Sequence, residues 1–341
     1  MKNNSNFDLY STINNSVAEQ TNPKVVIGLP VYNGENYLRP AIESILAQTL
    51  TNFLLIISDN ASTDATEEIC REFAACDSRI IYHRQKDNIG AAPNFNFVFQ
   101  PRLAPYFKWA AHDDILDPDY LRQCVELLDR DSKLAVAHCL SYKINDQGEI
   151  YGTHDNDLPL NSSRPSERFW RVLWANHFTD IFGVMRTDLL TQTKLHGSYV
   201  GSDRNLMAEI LLLGDMGYVK QRLFLHRVHK ASYMGKLKDN ASRLAWFDPK
   251  VKISTRLVGY VKFKEYLDAI THLPLPLNER IACMTNLAEW GVRRGIEIVT
   301  GDRDLYRKKL LRQYGFQQIS PTLPAHATLN FTEASNNHNA A

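Results

Sequence analysis

The sequence predicts an α/β fold in which helices flank a doubly wound, mostly parallel sheet, with a helical appendage at the C-terminal end. Short apolar and β-branched runs alternate with helical patterns through the first half of the chain. With 341 residues and 44% hydrophobic side chains, the chain can bury a large core. The apolar runs stay short, and none approaches the roughly 18 consecutive residues that indicate a membrane span.

The first half supplies the alternation on which this fold class depends. Strand patterns occur in KVVIGLPVYN, NFLLIISDN, RIIYHRQ, YFKWAAH and LAVAHCLSYKI. Helical patterns lie between them, in YLRPAIESILAQT, STDATEEICREFAA, PNFNFVFQ and DPDYLRQCVELLDRD. Because β-α-β connections are right-handed and return the chain in the same direction, these elements predict a parallel sheet.

The pattern changes after about Tyr151. Helices are predicted for RPSERFWRVLWANHF and SDRNLMAEILLLG, and strands for IFGVMR and GYVKQRLFLHRVH. From Asp248 the pattern is helical, with a break at LPLPL. We therefore expect a disordered leader over 1–22, two halves of one domain over 23–150 and 151–247, a helical region over 248–316 and a disordered tail over 317–341.

Charge and cysteine content exclude several classes of protein. A formal net charge of +1 gives no overall field that would attract nucleic acid. Five cysteines without a C-x-x-C pair indicate free thiols in a reducing compartment, and MKNNSNFDLYSTINNS lacks the apolar core of a secretory signal. We therefore expect a cytoplasmic protein. The basic residues after Asp248 leave two alternatives open, a helix face in solvent or peripheral contact with a membrane surface.

Polar side chains follow four predicted strands at the point where each strand ends. Ligands of an open parallel sheet bind beyond the carboxyl ends of its strands, so we expect these side chains to line one site. The absence of G-x-G-x-x-G and of G-x-x-x-x-G-K-[ST] disfavours a dinucleotide site and a P-loop. The residues concerned are Pro30, Tyr32 and Glu35 after the first strand, Asp59 after the second, Asn88 after the third, and His112, Asp113 and Asp114 after the fourth.

The adjacent carboxylates Asp113 and Asp114 are the sharpest signal at this edge. They offer hard oxygen ligands that suit Mg²⁺ or Mn²⁺, ions that also bridge to substrate phosphates. Helix capping is the alternative, but Asp117 and Pro118 already supply a cap and a first turn for the next helix. The pair therefore favours a divalent metal ion.

Four motifs in order resemble the family 2 glycosyltransferases, which have the GT-A fold: VVIGLPVYNGENYLRPAIESILAQT, LLIISDNASTDAT, DNIGAAPNFN and WAAHDDILDPDYL. The match covers about Lys24 to Ile144. The resemblance implies a GT-A-type sheet in which 23–150 bind a nucleotide-diphospho-sugar and 151–247 bind the acceptor. It also implies a divalent cofactor, Mn²⁺ or Mg²⁺, and transfer with inversion at the anomeric carbon.

The resemblance assigns the donor pocket to the first three strand ends. Pro30, Tyr32 and Glu35 would hold the base and the ribose, Asp59 would accept a hydrogen bond from the base, and Asn88 would line the pocket. Local alternatives remain open for two of these residues. The stretch DNAST is typical of an Asx turn at Asp59, and DNIG is typical of a turn at Asn88.

The triplet HDD takes the place of the D-x-D-type motif of the family. By this resemblance Asp114 would ligate the metal, and Asp113 would contact the ribose or the water shell of the metal. His112 departs from the family pattern and leaves one charge fewer at the ion, which puts the preferred metal in doubt.

The stretch FLHRVHKAS carries a second pattern similar to the family. His229 would be a further metal ligand or would touch the diphosphate, and Arg227 and Lys230 would neutralise phosphate charge. A solvated basic loop is the alternative for this stretch.

The second half should carry the acceptor side. Asp203 in GSDRNLMAEILLLG matches the position at a helix start where the family places its catalytic carboxylate. A helix N-terminus keeps a carboxylate ionised, which suits a general base, whereas the alternative is that Asp203 only caps the helix. Asp180 is the second candidate for this role or a contact of a sugar hydroxyl. Trp174 would stack on an acceptor sugar, although its helical spacing also fits core packing.

These expectations combine into one reaction, the transfer of a sugar, by resemblance UDP-linked, to a hydroxyl of a saccharide or glycolipid acceptor. Cell-surface polysaccharide, lipopolysaccharide or glycolipid synthesis is the expected setting. A sugar nucleotidyltransferase is the first alternative, although PVYNGENYL is neither Gly-rich nor basic. A non-catalytic nucleotide-sugar-binding relative is the second, although Asp59, Asp114 and Asp203 are all present. The sequence leaves the oligomeric state open.

Overall fold

A computed structural model describes residues 22–154, 159–175, 179–229, 239–250 and 258–300. The disorder expected for the two ends of the chain, and the role expected for Lys230, concern residues outside these ranges. None of the helices within them combines the length and the apolar character needed to cross a membrane.

Nine strands of the described residues form one sheet, in the order β3-β2-β1-β4-β8-β6-β9-β5, with β7 paired to β6. The strands are β1 (Val25–Val31), β2 (Phe53–Asp59), β3 (Ile80–Arg84), β4 (Tyr106–Trp109), β5 (Ile115–Leu116), β6 (Leu134–Ile144), β7 (Ile150–Thr153), β8 (Val184–Arg186) and β9 (Asp215–Arg227).

The first four strands are parallel, as predicted, and β1 lies between β2 and β4. The three-residue strand β8 then enters antiparallel between β4 and β6, after which β6 and β9 are again parallel. The α/β class with a helical appendage is confirmed. The carboxyl ends of β1 to β4 meet at one edge, because parallel strands end on the same side of the sheet.

The described helices are α1 (Leu38–Leu46), α2 (Thr66–Cys76), α3 (Ala91–Phe97), α4 (Tyr120–Arg130), α5 (Pro165–Trp174), α6 (Thr187–Leu190), α7 (Ser202–Leu213), α8 (Asn240–Phe247), α9 (Val258–His272) and α10 (Leu277–Thr300). A 3₁₀ helix covers Thr179–Phe182. The breaks predicted at Gly214 and at LPLPL fall at the end of α7 and between α9 and α10.

Two hydrophobic clusters cover the two faces of the sheet. Along β1, Val26 belongs to one cluster, whereas Val25 and Ile27 belong to the other. Successive strand residues point to opposite faces, so a strand that is covered on both sides reads as a continuous apolar run. This burial explains why β1 and β2 are the clearest strands in the sequence.

The start of α4 agrees in part with the prediction. The helix begins at Tyr120, and Asp119, the residue before it, makes no side-chain capping hydrogen bond. Asp117 instead accepts a hydrogen bond from the Asp119 N–H at 3.0 Å, which closes a turn before the helix. Asp117 and Pro118 therefore form the turn that leads into the helix, as expected, and the regular helix starts at Tyr120.

Candidate active site

The loops that follow β1 and β2 are joined by hydrogen bonds from backbone to side chain. The N–H of Asn33 donates to Ser62 Oγ at 2.9 Å, and the N–H of Gly34 donates to Thr66 Oγ1 at 2.9 Å. The N–H of Ala65 donates to Glu35 Oε2 at 3.0 Å. The two loops therefore form one rigid edge, as expected from strand ends that lie side by side.

The three residues predicted to hold the base and ribose lie on this edge in different surroundings. Pro30 is buried within β1, whereas Tyr32 and Glu35 are exposed beyond its end. Their contact with a nucleotide stays a prediction. Tyr32 has 42% of its surface exposed, so its ring is open to a planar ligand.

Asp59 is fully buried at the end of β2 and both of its carboxylate oxygens have partners. Oδ1 accepts from the N–H of Ser62 at 2.8 Å, and Oδ2 accepts from the hydroxyl of Tyr82 at 2.9 Å. Arg84 Nε lies 3.6 Å from Oδ2. The local turn, left open as an alternative, is therefore formed, and the contact with a base stays a prediction.

Asn88 is exposed and closes the turn that its surroundings predict. Its Oδ1 accepts from the N–H of Gly90 at 2.9 Å and from Asn60 Nδ2 at 3.0 Å. Asn60 also accepts from the N–H of Ile89 at 2.8 Å. These bonds fix the β3 loop against the β2 loop, where Asn88 would border any ligand of that edge.

Asp114 is buried and holds the end of β9 in place. Its Oδ1 accepts from the N–H of Arg227 at 2.9 Å and lies 3.1 Å from His226 Nδ1. Burial alone would lower the pKa of His226, but the charge of Asp114 and the hydrogen bond to it outweigh burial and raise that pKa. Asp114 therefore stabilises the contact between two segments of chain that are distant in sequence.

Asp113 faces His229, whose Nε2 lies 2.9 Å from Asp113 Oδ2. Burial alone would raise the pKa of Asp113, but the charge of His112 and the hydrogen bond from His229 lower it, so the carboxylate stays ionised. The second ring nitrogen of His229, Nδ1, is buried without a hydrogen-bond partner among the described residues.

The described residues around Asp113 offer part of a ligand set for a divalent ion. No group of three or more His, Cys, Asp or Glu side chains in the described ranges is arranged to hold a metal. Asp113 and His229 do supply one carboxylate oxygen and one imidazole nitrogen side by side. Such a pair suits Mn²⁺, which accepts both kinds of ligand and can complete its shell with water and diphosphate oxygens.

Two residues that the sequence did not single out support this pair. The ring of Tyr37 lies 4.7 Å from that of His229 and 4.6 Å from the guanidinium carbon of Arg227. Its hydroxyl donates to Asp146 Oδ1 at 2.6 Å. No local pattern marks Tyr37 or Asp146, because their contact joins residues that are 109 positions apart.

Arg227 has a different role from the one expected. It is 3% exposed, and its guanidinium donates to the backbone carbonyls of Asp113 at 2.8 Å and Asn145 at 2.7 Å. A guanidinium held in this way has little surface left for a phosphate. The prediction that Arg227 neutralises phosphate charge is therefore replaced by a positioning role.

Asp203 lies in the first turn of α7, as predicted, and its side chain is partly exposed. The loop before α7 is tied to α3 through Asn96, whose side chain bonds the backbone of His196 at 2.8 and 2.9 Å. Ser198 donates to Asp248 at 3.0 Å, and a Cβ on Gly90 would lie 2.6 Å from the carbonyl oxygen of Phe247. The segment at Phe247 and Asp248 therefore contacts both the loop before α7 and the loop after β3.

Asp180 and Trp174 lie in the core. Asp180 is 2% exposed and accepts a hydrogen bond from Tyr218 at 3.1 Å. Trp174 is 4% exposed and belongs to one of the two hydrophobic clusters. Direct contact of either residue with an acceptor is therefore not supported, and the core-packing alternative for Trp174 is confirmed.

Comparison with known proteins gives a family match and several relatives. The family model described as glycosyl transferase family 2 matches residues 26–192. Glycosyltransferase GlyA of Streptococcus pneumoniae is 24% identical over 306 residues, which are 87% of this chain and 42% of that protein. An uncharacterised glycosyltransferase of Rickettsia typhi is 36% identical over 126 residues, 37% of this chain and 38% of that protein. The chain thus spans less than half the length of these two relatives.

One relative of similar length and two solved structures extend the comparison. The putative glycosyltransferase EpsH of Bacillus subtilis is 24% identical over 307 residues, 86% of this chain and 82% of that protein. Staphylococcus aureus TarS in complex with UDP-GlcNAc has a TM-score of 0.58 at 15% identity, over 80% of this chain and 72% of that one. A Pyrobaculum calidifontis mannosyltransferase in complex with GDP-Man and Mn²⁺ has a TM-score of 0.50 at 14% identity, over 91% and 90%. At these identities the two structures support the fold.

Proposed function

The chain belongs to glycosyltransferase family 2, and we propose that it moves a sugar from a nucleotide-diphospho-sugar to an acceptor hydroxyl with inversion of configuration. One observation carries this proposal. The ionised carboxylate of Asp113 and the imidazole ring of His229 meet beyond the end of β4, beside the strand-end loops. Asp203 lies in the first turn of α7, and the loop before this helix is tied to α3. The Asp203 side chain makes no hydrogen bond or ion pair with the described residues.

The donor nucleotide is proposed to lie along the ends of β1, β2 and β3. Tyr32 offers an exposed ring, and Pro30, Glu35, Asp59 and Asn88 border the same edge. We infer a UDP-linked sugar from the motif resemblance. The solved neighbour with the higher TM-score is a complex with UDP-GlcNAc, and the mannosyltransferase neighbour is a complex with GDP-Man, so both bases belong in the test.

We assign the metal to Asp113 and His229, with Asp114 as the residue that positions them. When bound, the ion would stabilise the negative charge that develops on the departing diphosphate. Asp114 holds β9 through the N–H of Arg227, which keeps His229 opposite Asp113. This reverses the two roles that the resemblance gave to the adjacent carboxylates.

Asp203 is proposed as the general base. Its carboxylate takes the proton of the acceptor hydroxyl while the hydroxyl oxygen forms a bond to the anomeric carbon. The bond from that carbon to the diphosphate oxygen breaks at the same time, and its electron pair leaves with the nucleotide diphosphate. Attack from the face opposite the leaving group inverts the configuration.

Donor turnover tests the proposal. We expect slow release of UDP or GDP from the matching nucleotide-sugar in the presence of Mn²⁺, even without an acceptor. Release of pyrophosphate from a nucleoside triphosphate and a sugar phosphate would show a nucleotidyltransferase instead. Donor binding without release of nucleotide, with every acceptor tried, would show a non-catalytic relative.

The acceptor and the cellular setting belong to the proposal as well. We infer a saccharide or glycolipid acceptor in cell-surface polysaccharide, lipopolysaccharide or glycolipid synthesis. The reaction would take place in the cytoplasm, with peripheral contact to the membrane where the acceptor is lipid-linked. Activity with a lipid-linked acceptor in vesicles and none with its soluble headgroup would support the membrane contact.

A further inference from the structure

Lys262 of α9 lies directly against the start of α7. A Cβ on Gly201 would lie 2.4 Å from Lys262 Cε and 2.5 Å from Nζ, so a larger residue at 201 would clash with the ammonium group. Gly201 also has a φ of +84°, a conformation that favours glycine. The ammonium therefore lies at the N-terminal end of the helix that carries Asp203.

The side chain of Lys262 is half-buried and has no matching carboxylate. Within the described ranges, no carboxylate lies within 4.0 Å of Lys262 Nζ, and no hydrogen bond is made by it. Burial, followed by the charge of Arg204, lowers the pKa of Lys262 to about 8, with Asp203 acting in the opposite sense. A partly desolvated charge without a partner is costly, so the binding of an anion at Lys262 would lower that cost.

Two buried polar atoms in the first turn of α7 have no partner among the described residues. One is the hydroxyl oxygen of Ser202, the first residue of α7, whose side chain is fully buried. The other is Oδ1 of Asn205, whose Nδ2 donates to the carbonyl of Lys262 at 3.5 Å. The hydroxyl of Ser202 can donate to an anion, and the dipole at the N-terminal end of a helix favours negative charge. The backbone N–H groups of Ser202 and Arg204 already donate to the carbonyls of Tyr199 and Gly201.

We propose that Lys262, Ser202 and the start of α7 bind a negatively charged substituent of the acceptor, a phosphate or a carboxylate. The inference rests on the proposed function, because the next residue, Asp203, is the proposed base. A substituent held at this point would place a neighbouring hydroxyl close to Asp203. Orientation of this kind can supply a large part of the rate.

The acceptor fits this position better than the donor diphosphate does. The proposed donor edge is formed by the ends of β1 to β4, where a divalent ion held by Asp113 and His229 would supply the positive charge. Lys262 belongs to α9 and contacts α7 at Gly201, on the side of Asp203. An anion bound there would lie with the attacking hydroxyl.

Anion binding to the full-length protein tests the site with inorganic phosphate and acetate as separate probes. Calorimetric titration should show binding of at least one probe to the native protein. The variant Lys262→Met should bind it at least about tenfold more weakly, because a charged contact is lost. Lys264→Met is the matched control, since Lys264 lies on the same helix with 51% of its side chain exposed and should leave binding unchanged.

The variant Ser202→Ala and competition with UDP distinguish the proposed anion site from misfolding and from the donor site. Ser202→Ala should weaken binding of the probe several-fold with the charge intact, which separates the site from any misfolding of Lys262→Met. Equal binding by all variants, or no binding at all, would overturn the proposal. Displacement of the probe by UDP with Mn²⁺ would also overturn it, by placing the anion in the donor site.

The role in the acceptor reaction has its own readout. This test requires that donor turnover has been established. The Lys262→Met variant should then have a kcat/KM for a phosphorylated acceptor that is at least about tenfold lower than that of the native protein. Its kcat/KM for a neutral acceptor and its rate of donor hydrolysis should not change. A uronic acid acceptor in place of the phosphorylated one distinguishes carboxylate from phosphate. If probe binding depends on Lys262 but the protein turns over no donor, the anion site is supported and its role in acceptor binding is rejected.

Discussion

His229 Nε2 lies 2.9 Å from Asp113 Oδ2, although the two residues are 116 positions apart in the chain. The contact depends on the position of β9, which Asp114 fixes through the backbone N–H of Arg227 at 2.9 Å. The two adjacent carboxylates thus contact different groups. Asp113 faces the proposed ion, and Asp114 holds the strand that brings His229 to it.

Asp113→Asn should lower metal-dependent release of nucleotide from the donor by roughly 10–100-fold, because a neutral amide is a weaker ligand. The concentration of Mn²⁺ needed for half-maximal activity should rise at the same time. Steady-state assays across a Mn²⁺ titration measure both effects, and a melting curve checks that the fold is kept. An unchanged dependence on Mn²⁺ would remove Asp113 from the metal site.

Asp114→Ala should act mainly on stability. The change leaves the buried N–H of Arg227 without its acceptor and removes the partner of His226, which should cost about 1–3 kcal/mol. Urea unfolding of the variant and of the native protein gives this difference. Unchanged stability together with a lost response to Mn²⁺ would return the ligand role to Asp114.

Asp203→Asn should abolish transfer while the variant still binds the donor. Removal of a general base costs about 10²–10⁴-fold in rate, whereas the side chain makes no hydrogen bond with described residues on which the fold could depend. Asp188→Asn is a matched control, since Asp188 is an exposed carboxylate in the first turn of α6. Full transfer by Asp203→Asn would take the base role away from this residue.

Much of the fold could be predicted because its strands carry a strong local signal. The residues of β1 and β2 are buried on both faces, so their apolar runs are continuous. The insertion of β8 between β4 and β6 had no such signal, because three residues of strand do not reveal their direction or their neighbours. Strand content was therefore easier to predict than strand order.

The position of the candidate side chains at one edge of the sheet could be predicted for the same reason. The side chains at the ends of the parallel strands had to meet, and the start of α7 was marked by its own pattern. The different contacts of Asp113 and Asp114 were not predictable, because their partners Arg227 and His229 lie more than 100 positions away in the chain. Two other long-range contacts leave no local pattern in the sequence, that of Tyr37 with Asp146 and that of Gly201 with Lys262.

Lys108 is fully buried in β4, five residues before Asp113 in the chain. Its ammonium donates to the carbonyls of Trp109 and Phe182 and lies 4.8 Å from the ring centre of Tyr120. Among the described residues, no carboxylate lies within 4.0 Å of it. Burial therefore lowers the pKa of Lys108 from 10.5 to about 8.

Lys108→Met should change how stability depends on pH. The folded-state pKa lies below the unfolded one, so the folded protein binds fewer protons between about 8 and 10.5 and gains stability as pH rises through that window. Relative to Lys108→Met, which has no such group, the native protein should gain about 3 kcal/mol across it. Urea unfolding of both proteins at several pH values within and below the window measures this difference, and the comparison cancels the tyrosines and cysteines that both share. A difference in stability that stays constant with pH would show that Lys108 keeps its ordinary pKa, with its charge solvated in spite of its burial.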